Sequence, residues 1–510
     1  MNIQDKQKLL HQALNLHRQG NISEADKIYL NILKEDPNDF DANHLHGLTL
    51  GQRKYDQQAI QYYEKAYEQE KGNVELLNNF AISLRKLANY EKCEELLLIA
   101  KKIDSSYSNT YKNLSNCYAV QGKYDEAINV LNSLRNKNYN SNDLKKRLLD
   151  LYTSKYIQKK DKVDLNKCIE LLNDMSFADL RDQSIMNTYA CIYLWANEID
   201  KSLELFKISC ELAVTPPSID TLKNLNNKEI LNNFIKHEYE QITHVDSDQD
   251  GIRNVKITQE FYDTLKTLNT KDAQYFDDND FSFVSKLHNI IYNKPPAPRK
   301  NYLNESLKID EIEDKYTKSD PEIVVVDNFL STQFLEDLNI FFRCANIFKY
   351  PYVRGYIGAF LGKGMANKAL LEFSQELKNS FPKIFKNYDL TQAWAFKYDS
   401  SLEGIGIHAD DAKINVNFWI TSDESNLDSE SGGMIVWKKK PNMSANFSDF
   451  NSVENMQTMM KEVKDIDYIR VPYRENRAVI FNSKLYHVTD KLNFKKDYKN
   501  RRINVTYLYQ

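Results

Sequence analysis

The chain has 510 residues, enough for about three domains of ordinary size. Its 68 Lys and Arg nearly cancel its 72 Asp and Glu, and this balance argues against a protein that binds nucleic acid through a basic face. Glycine and proline number only 14 and 11, so we expect helices, which both residues disrupt, in a large part of the chain.

Membrane insertion and secretion are not expected from this sequence. No apolar run reaches the roughly 18 residues that a membrane helix needs, and the N-terminus lacks the apolar stretch of a secretory signal. The six cysteines are widely spread and form no CxxC pair, which favours reduced thiols. We therefore expect a soluble, cytoplasmic protein.

A period of 34 residues runs through the N-terminal part of the chain. Small residues recur at this step, and a second set of small residues keeps the same step 12 positions earlier. The two sets are Ala25, Ala59, Cys93 and Ala127, and Gly47, Ala81 and Ser115. Larger apolar residues follow on the same helix face, and small residues are expected where two antiparallel helices touch. A lone hairpin cannot bury its apolar stripe, so stacking of successive hairpins supplies the core.

This pattern resembles the tetratricopeptide repeat family, with the first four repeats in strict phase. Residues 1–215 hold about six repeats. The fifth, around Cys168, fits only with a short insertion, and Ala190 and Ser202 reproduce the 12-residue spacing in the sixth. The resemblance implies an all-α solenoid whose groove binds a protein or peptide.

Residues 216–320 carry no clear period. A proline pair at their start ends the helical pattern, and two amphipathic stretches within them are typical of helices. We expect a mixed helical segment and linker here.

Beyond Asp320 the pattern changes from helical to β-strand. The β-branched run Ile323–Val326 is followed by a helix beginning near Ser331. Six further short apolar segments come later, separated by turns: AWAFKY, INVNFWIT, GGMIVWKK, YIRVPY, RAVIFN and RINVTYLY. Such a series predicts an all-β barrel or sandwich over residues 321–510.

Three residues of this segment have the chemistry of a metal site. His408 and Asp410 are two positions apart, so in a strand they point to the same face and can occupy adjacent corners of one metal. His487 is the only histidine after Asp410 and is the candidate third ligand. Two histidines and one carboxylate leave three positions of an octahedral iron open, as in non-haem Fe(II) oxygenases.

The last strand offers a cation for an acidic co-substrate. An arginine can hold the far carboxylate of 2-oxoglutarate through a charged, bidentate contact. Alternation places Arg502, Asn504 and Thr506 on one face, whereas Arg501 points away and is expected on the surface. Asn417 either lines the pocket or is a satisfied polar group of the core.

Residues 321–510 are similar to the 2-oxoglutarate- and iron-dependent oxygenases of the prolyl 4-hydroxylase-like type. The resemblance rests on the opening strand and helix, the H-x-D pair, the distal histidine and the last strand with Arg502 and Thr506. Tyr398 stands ten residues before the first ligand, where the family places a tyrosine whose hydroxyl meets the co-substrate. The stretch between His487 and Arg502 is longer than is usual for the group.

The resemblance implies a multidomain chain in which the solenoid precedes a double-stranded β-helix, or jelly-roll, oxygenase domain. It implies Fe(II) held by His408, Asp410 and His487, with 2-oxoglutarate and dioxygen as co-substrates. The residues expected to bind the co-substrate are Arg502, Tyr398, Thr506 and Asn417.

Three functions follow from these expectations. The leading one is a hydroxylase whose repeats recruit a protein or polymer substrate; related halogenases lack the carboxylate, so Asp410 predicts hydroxylation. The alternative is a tetratricopeptide scaffold with a catalytically idle oxygenase-like domain. A third is an oxygenase of small molecules or glycans whose repeats dimerise or localise it. The sequence indicates no particular oligomeric state.

Overall fold

The computed structural model describes residues 3–135, 141–177, 182–213, 216–246, 258–288, 295–399, 403–442, 447–452 and 454–510. The chain divides into two compact units: an N-terminal unit, Met1–Met175, and a C-terminal unit, Ser176–Gln510. Among the described helices, none combines the length and apolar character that crossing a bilayer requires.

The N-terminal unit is a stack of helical hairpins. Its described helices are α1 (Ile3–Arg18), α2 (Ile22–Glu35), α3 (Phe40–Gln52), α4 (Asp56–Gln69), α5 (Val74–Lys86), α6 (Tyr90–Ile103), α7 (Ser108–Ala119), α8 (Tyr124–Arg135), α9 (Asn142–Lys159) and α10 (Lys162–Asn173). Each odd-numbered helix packs against the helix that follows it, and each even-numbered helix up to α8 also packs against the next hairpin. The N-terminal part of the chain is therefore a helical solenoid of the tetratricopeptide type.

The periodic small residues lie at the helix contacts. Those of the second helix in each hairpin are at most 1% exposed: Ala25, Ala59, Cys93 and Ala127. Gly47 in α3 shows how close the helices come, because a Cβ atom there would lie 2.8 Å from Cε1 of Tyr63 in α4. The period thus marks positions where a larger side chain would separate two helices.

The period also extends to the start of the helices. Asp39 Oδ1 accepts a hydrogen bond from the Ala42 amide at the start of α3, and Asn73 Oδ1 accepts one from Leu76 at the start of α5. These N-caps satisfy amides that the helix itself leaves unpaired. The equivalent position before α7 is Tyr107, which provides no side-chain cap.

The fifth hairpin departs from the others in length. Helix α9 has 18 residues, whereas α3 to α8 have 12 to 14. Cys168 in α10 is buried like its counterparts in the earlier repeats. The insertion expected from the sequence is accommodated at least in part by this longer helix.

The C-terminal unit contains helices and two sheets. Its described helices are α11 (Gln183–Trp195), α12 (Ile199–Ala213), α13 (Ile219–Lys223), α14 (Glu229–Asp246), α15 (Gln259–Thr270), α16 (Asp278–Lys286), α17 (Ile309–Lys318), α18 (Thr332–Cys344), α19 (Lys368–Ser380), α20 (Pro382–Phe385), α21 (Phe447–Phe450) and α22 (Met456–Val463). Its strands are β1 (Ile323–Val326), β2 (Tyr350–Tyr352), β3 (Tyr356–Phe360), β4 (Leu390–Tyr398), β5 (Ile414–Trp419), β6 (Met434–Trp437), β7 (Tyr468–Val471), β8 (Ala478–Asn482), β9 (His487–Thr489) and β10 (Ile503–Tyr509).

The two sheets are antiparallel and share a core. One has seven strands in the order β1-β8-β5-β10-β4-β3-β2, and the other has three in the order β7-β6-β9. Trp419 and Phe481 of the larger sheet pack in one apolar cluster with Val436 and Val471 of the smaller sheet. The sheets therefore lie face to face, as in sandwiches and barrels.

Helix α19 covers the other face of the larger sheet. The hydroxyl of Tyr507 donates to the Leu370 carbonyl, and that of Tyr509 to the Ser374 carbonyl. Alternation along β10 then directs the side chain of Thr506 toward the smaller sheet.

The last predicted repeat belongs to the C-terminal unit. In hairpin α11–α12, the indole nitrogen of Trp195 donates to the Leu390 carbonyl at 2.7 Å, and Ser209 Oγ donates to the Gly362 carbonyl at 2.9 Å. The boundary near residue 215 follows the repeat pattern, whereas packing divides the chain at Met175. The predicted domain boundaries at residues 215 and 320 stay predictions.

The sequence predicted that Arg501 lies on the surface, but the structure shows that it is buried. It is 6% exposed, and its guanidinium pairs with Glu240 of α14 at 2.7 Å and with Asp399 at 3.4 Å. Alternation correctly turned Arg501 away from Arg502, but α14 comes from the segment without a period and covers this face of the sheet.

The small residue of the second repeat gives a stability test. Leucine at Ala59 would overpack the contact between helices, so we expect Ala59→Leu to lower the free energy of unfolding by about 1–3 kcal/mol. Urea denaturation followed by far-UV circular dichroism measures it. The neighbouring Gln58 is exposed, so Gln58→Leu is the control and should change stability little. Equal effects of the two variants would contradict the packing described here.

Candidate metal centre

Two backbone hydrogen bonds bring His408 and His487 together. The amide of His408 donates to the carbonyl of His487 at 3.0 Å, and the amide of His487 donates back at 2.8 Å. Residues that exchange both bonds in an antiparallel bridge lie directly opposite, with their side chains on the same face. The ring centroids are accordingly 4.2 Å apart.

Asp410 completes a group of three. Its Oδ1 lies 3.8 Å from Nε2 of His408, and its Oδ2 lies 3.5 Å from Nε2 of His487. One ligand atom from each residue lies within 4.8 Å of the other two, a spacing that one metal ion can bridge. Among the described residues, this is the single such group of His, Cys, Asp or Glu side chains.

Each imidazole is oriented by a nearby backbone carbonyl. Nδ1 of His408 lies 2.9 Å from the Gly406 carbonyl, and Nδ1 of His487 lies 2.9 Å from the Leu485 carbonyl. A carbonyl only accepts, so Nδ1 carries the proton in both rings. The Nε2 lone pairs are therefore free to bind a metal, and a hydrogen bond from the other ring nitrogen to a carbonyl is typical of metal-ligating histidines.

The protonation states suit a metal ligand set. Burial, with a smaller contribution from His487, lowers the pKa of His408 to about 4. Burial alone would raise the pKa of Asp410, but the nearby imidazoles and the amide of Asn415 outweigh burial and hold that pKa below its ordinary value. At neutral pH the site thus offers a neutral His408 imidazole and an ionised carboxylate, the forms that bind metals.

Arg502 is a buried cation that has no acidic partner in the part of the chain that the structure describes. Its Nε donates to the Gly432 carbonyl at 2.7 Å, and its guanidinium carbon lies 4.6 Å from the ring centre of Tyr398 and 5.5 Å from that of Trp419. No carboxylate among the described residues lies within 4.0 Å of it, although the side chain is buried. An uncompensated buried charge is costly, so this guanidinium is suited to an anionic ligand.

One cavity of about 730 Å³ connects these groups. It lies inside the C-terminal unit, and its wall includes all seven residues that the sequence analysis singled out. They are His408, Asp410, His487, Arg502, Tyr398, Thr506 and Asn417. The structure thus brings the predicted ligands and the predicted anion-binding residues to one place, while their roles stay predictions.

Asn415 is a member of this site that the sequence analysis did not assign a role. Its Nδ2 donates to Asp410 Oδ2 at 2.9 Å and so fixes the carboxylate, while its Oδ1 has no partner among the described residues. Asn417 is similar, with Nδ2 donating to Thr506 at 3.1 Å and Oδ1 unpaired. The sequence feature that could have identified Asn415 is the alternation along β5, which places both amides on the face of the cavity.

The side chain of Tyr398 lies beside Arg502 and reaches strand β9. Its hydroxyl is 3.5 Å from Oγ1 of Thr489 in β9, and burial raises its pKa although Arg502 opposes the shift. The phenol therefore stays protonated at neutral pH and can donate a hydrogen bond to an anion in the cavity.

Comparisons with known proteins give structural neighbours only. No protein-family model matches the chain, and no curated protein matches it. A tetratricopeptide repeat protein from Parabacteroides merdae aligns over 52% of this chain and 100% of its own, at 14% identity and a TM-score of 0.35. Pseudomonas aeruginosa PilF aligns over 43% and 95%, at 19% identity and 0.34. YrrB, described as a TPR protein with an unusual peptide-binding site, aligns over 32% and 86%, at 20% identity and 0.29.

Two of these three neighbours are named as tetratricopeptide repeat proteins. TM-scores below 0.5 support no transfer of function, so the cavity and its residues are interpreted from their geometry alone.

Metal binding tests the geometry of the three ligands directly. We expect the full chain to bind one Co(II) or Mn(II) ion, and His487→Ala to weaken binding at least about tenfold because it removes a ligand. The exposed His11 of the N-terminal unit provides the control, and His11→Ala should bind like the unchanged protein. Co(II) absorbance measures the affinity, and retention of full affinity by His487→Ala would show that the group is not a metal site.

Proposed function

We propose that the protein is a 2-oxoglutarate- and Fe(II)-dependent dioxygenase, most simply a hydroxylase. The observation that carries this proposal is the convergence of His408, Asp410 and His487 with the unpaired Arg502 on one cavity. Two imidazoles and a carboxylate leave three positions of an octahedral metal open for co-substrates. The carboxylate favours hydroxylation over halogenation.

The residues that line the cavity fit both Fe(II) and 2-oxoglutarate. The ligand set contains no sulfur, and it suits Fe(II) with open positions better than a structural zinc. The guanidinium of Arg502 has five N–H groups, and three of them are directed to Gly432, Gly433 and Asn504. The other N–H groups are suited to the far carboxylate of 2-oxoglutarate, beside the hydroxyl of Tyr398.

The iron and its co-substrate, when bound, would supply the oxidation: a substrate C–H becomes C–OH, and 2-oxoglutarate becomes succinate and carbon dioxide. One oxygen atom of dioxygen enters the hydroxyl group and the other enters succinate. The protein's own task is to position these groups. Backbone carbonyls orient both imidazoles, Asn415 fixes Asp410, and Arg502 with Tyr398 holds the diacid, with Thr506 and Asn417 beside it. The face-to-face sheets support a double-stranded β-helix fold for this unit.

We propose further that the repeats recruit a protein or peptide that carries or presents the substrate, and that the protein is cytoplasmic. The stacked hairpins of the N-terminal unit support a binding role, since arrays of this kind expose extended concave surfaces.

A second candidate function is a tetratricopeptide scaffold whose sheet-containing unit is catalytically idle. The same hairpins favour it; of the three structural neighbours, two are named as tetratricopeptide repeat proteins and none as an oxygenase. Uncoupled turnover separates the two functions. Succinate formed from 2-oxoglutarate, dependent on Fe(II) and lost in His408→Ala, would support the enzyme; a chain that binds neither metal nor 2-oxoglutarate would support the scaffold.

Arg502 gives a sharper test of the co-substrate site. We expect Arg502→Lys, which keeps the charge but loses the fork, to weaken 2-oxoglutarate binding roughly 10–100-fold by removing charge-assisted hydrogen bonds. Anaerobic titration of the Fe(II) protein measures the affinity without requiring a substrate.

The control for this test is Arg474, which is 56% exposed and pairs with Asp327 outside the cavity. Arg474→Ala should bind 2-oxoglutarate like the unchanged protein. Equal affinity in Arg502→Lys and the unchanged protein would contradict the proposed role of the buried guanidinium.

A further inference from the structure

The cavity is larger than a metal ion and a five-carbon diacid require. At about 730 Å³ it falls in the range of pockets that enclose most of a drug-sized ligand. Space therefore remains beside the proposed co-substrate, and the chemistry of the remaining wall indicates what occupies it.

One side of the cavity is an aromatic wall from strands β2, β3 and β4. We define it as Tyr352, Tyr356, Phe360, Trp394 and Phe396. The rings of Tyr352 and Tyr356 are stacked at 4.5 Å with 10° between their planes, and Phe396 meets the ring of Tyr356 edge-on at 5.1 Å. All members except Phe396 are only half-buried, so they present ring surface to the cavity.

A glycine at the centre of this wall lets the rings close together. Gly358 lies between Tyr356 and Phe360 on β3, and a Cβ atom there would lie 2.9 Å from the rings of both Phe360 and Phe396. The wall is therefore a continuous aromatic surface and not a set of separate side chains. Such a surface binds flat apolar faces.

The rest of the lining is rich in carboxamides. Six of them line the cavity: Gln392, Asn415, Asn417, Asn451, Asn504 and Gln510. A carboxamide offers both donors and an acceptor, which matches a hydroxyl group. The Oδ1 atoms of Asn415 and Asn417 are buried and have no partner among the described residues, so they favour a ligand that donates hydrogen bonds.

The lining adds little net charge beyond the residues assigned to metal and co-substrate. Besides those residues it contains two side chains charged at neutral pH, Arg354 and Asp411. Arg354 is paired with Glu403 at 2.8 Å and also donates to the Gly404 carbonyl. Glu403 thus neutralises Arg354, and Asp411 is exposed to solvent, so this part of the lining favours a neutral ligand.

We propose that the moiety bound in this cavity is a neutral sugar residue. A sugar ring has an apolar C–H face for the aromatic wall and hydroxyl groups for the carboxamides. The carboxamides come from β4, β5, the start of β10, the residue after β10 and the segment after α21, so they surround a compact ring. An extended peptide would instead need amides in a row along one strand edge. The proposal names the substrate of the proposed oxygenase, but its binding test does not depend on oxidation.

The test uses the full chain without metal and a panel of methyl glycosides of neutral hexoses, N-acetylhexosamines, deoxyhexoses and pentoses. Saturation-transfer difference NMR should show binding of at least one, with the strongest transfer to C–H protons on one ring face. Trp394→Ala and Tyr352→Ala should each weaken its affinity roughly tenfold, because each removes ring surface.

Tyr468 provides a matched control, since it is 54% exposed on β7 and does not line the cavity. Tyr468→Ala should bind the glycoside like the unchanged protein, and circular dichroism checks that all three variants fold. A glycopeptide and its deglycosylated form distinguish a sugar carried on a partner from a free one. Binding of the deglycosylated peptide instead of any glycoside, or equal binding by the wall variants and Tyr468→Ala, would overturn the proposal.

The outcome is separable from that of the proposed function. Glycoside binding without any succinate formation would support the sugar site and contradict the oxygenase. Iron-dependent succinate formation in a protein that binds no member of the panel would support the oxygenase and overturn the sugar site.

Discussion

The site depends on one pair of backbone hydrogen bonds, those between His408 and His487. They join the segment before β5 to the start of β9, and they are what turns two distant imidazoles to the same side. Because side chains alternate along extended backbone, a one-residue slip of either segment would direct one ring to the opposite face. The carbonyls of Gly406 and Leu485 then fix both rings, so the orientation of the two Nε2 atoms follows from local backbone alone.

Two adjacent arginines show how the larger sheet separates its two environments. Arg501 faces α14, and two carboxylates neutralise it: that of Glu240 in α14 and that of Asp399 directly after β4. Arg502 faces the cavity, where it meets carbonyls and aromatic rings but, among the described residues, no carboxylate. The same charge is therefore satisfied on one face and left available on the other. Both arginines are buried, and the reason differs for each because they lie on opposite faces of the sheet.

The sequence predicted local features better than long-range ones. The 34-residue period and its 12-residue offset placed Ala59 and Cys93 at helix contacts, because the offset relates the two helices of one hairpin. The strand alternation placed Arg502 and Thr506 on the face of the cavity. The burial of Arg501 and the aromatic wall depend on which elements meet across the fold, and no spacing in a single sequence reports that. Asn415 was visible as a face-mate of Asn417, but its contact with Asp410 required the coordinates.

The bond from the Trp195 indole to the Leu390 carbonyl has a practical consequence for dissecting the molecule. Leu390 begins β4, the strand that carries Trp394 and Tyr398, so a hairpin with a repeat-like sequence supports a strand that lines the cavity. Cutting the chain after the last recognisable repeat would remove that support and expose apolar surface. Fragments intended to isolate the sheet-containing half should therefore begin near Ser176, where the packing itself divides.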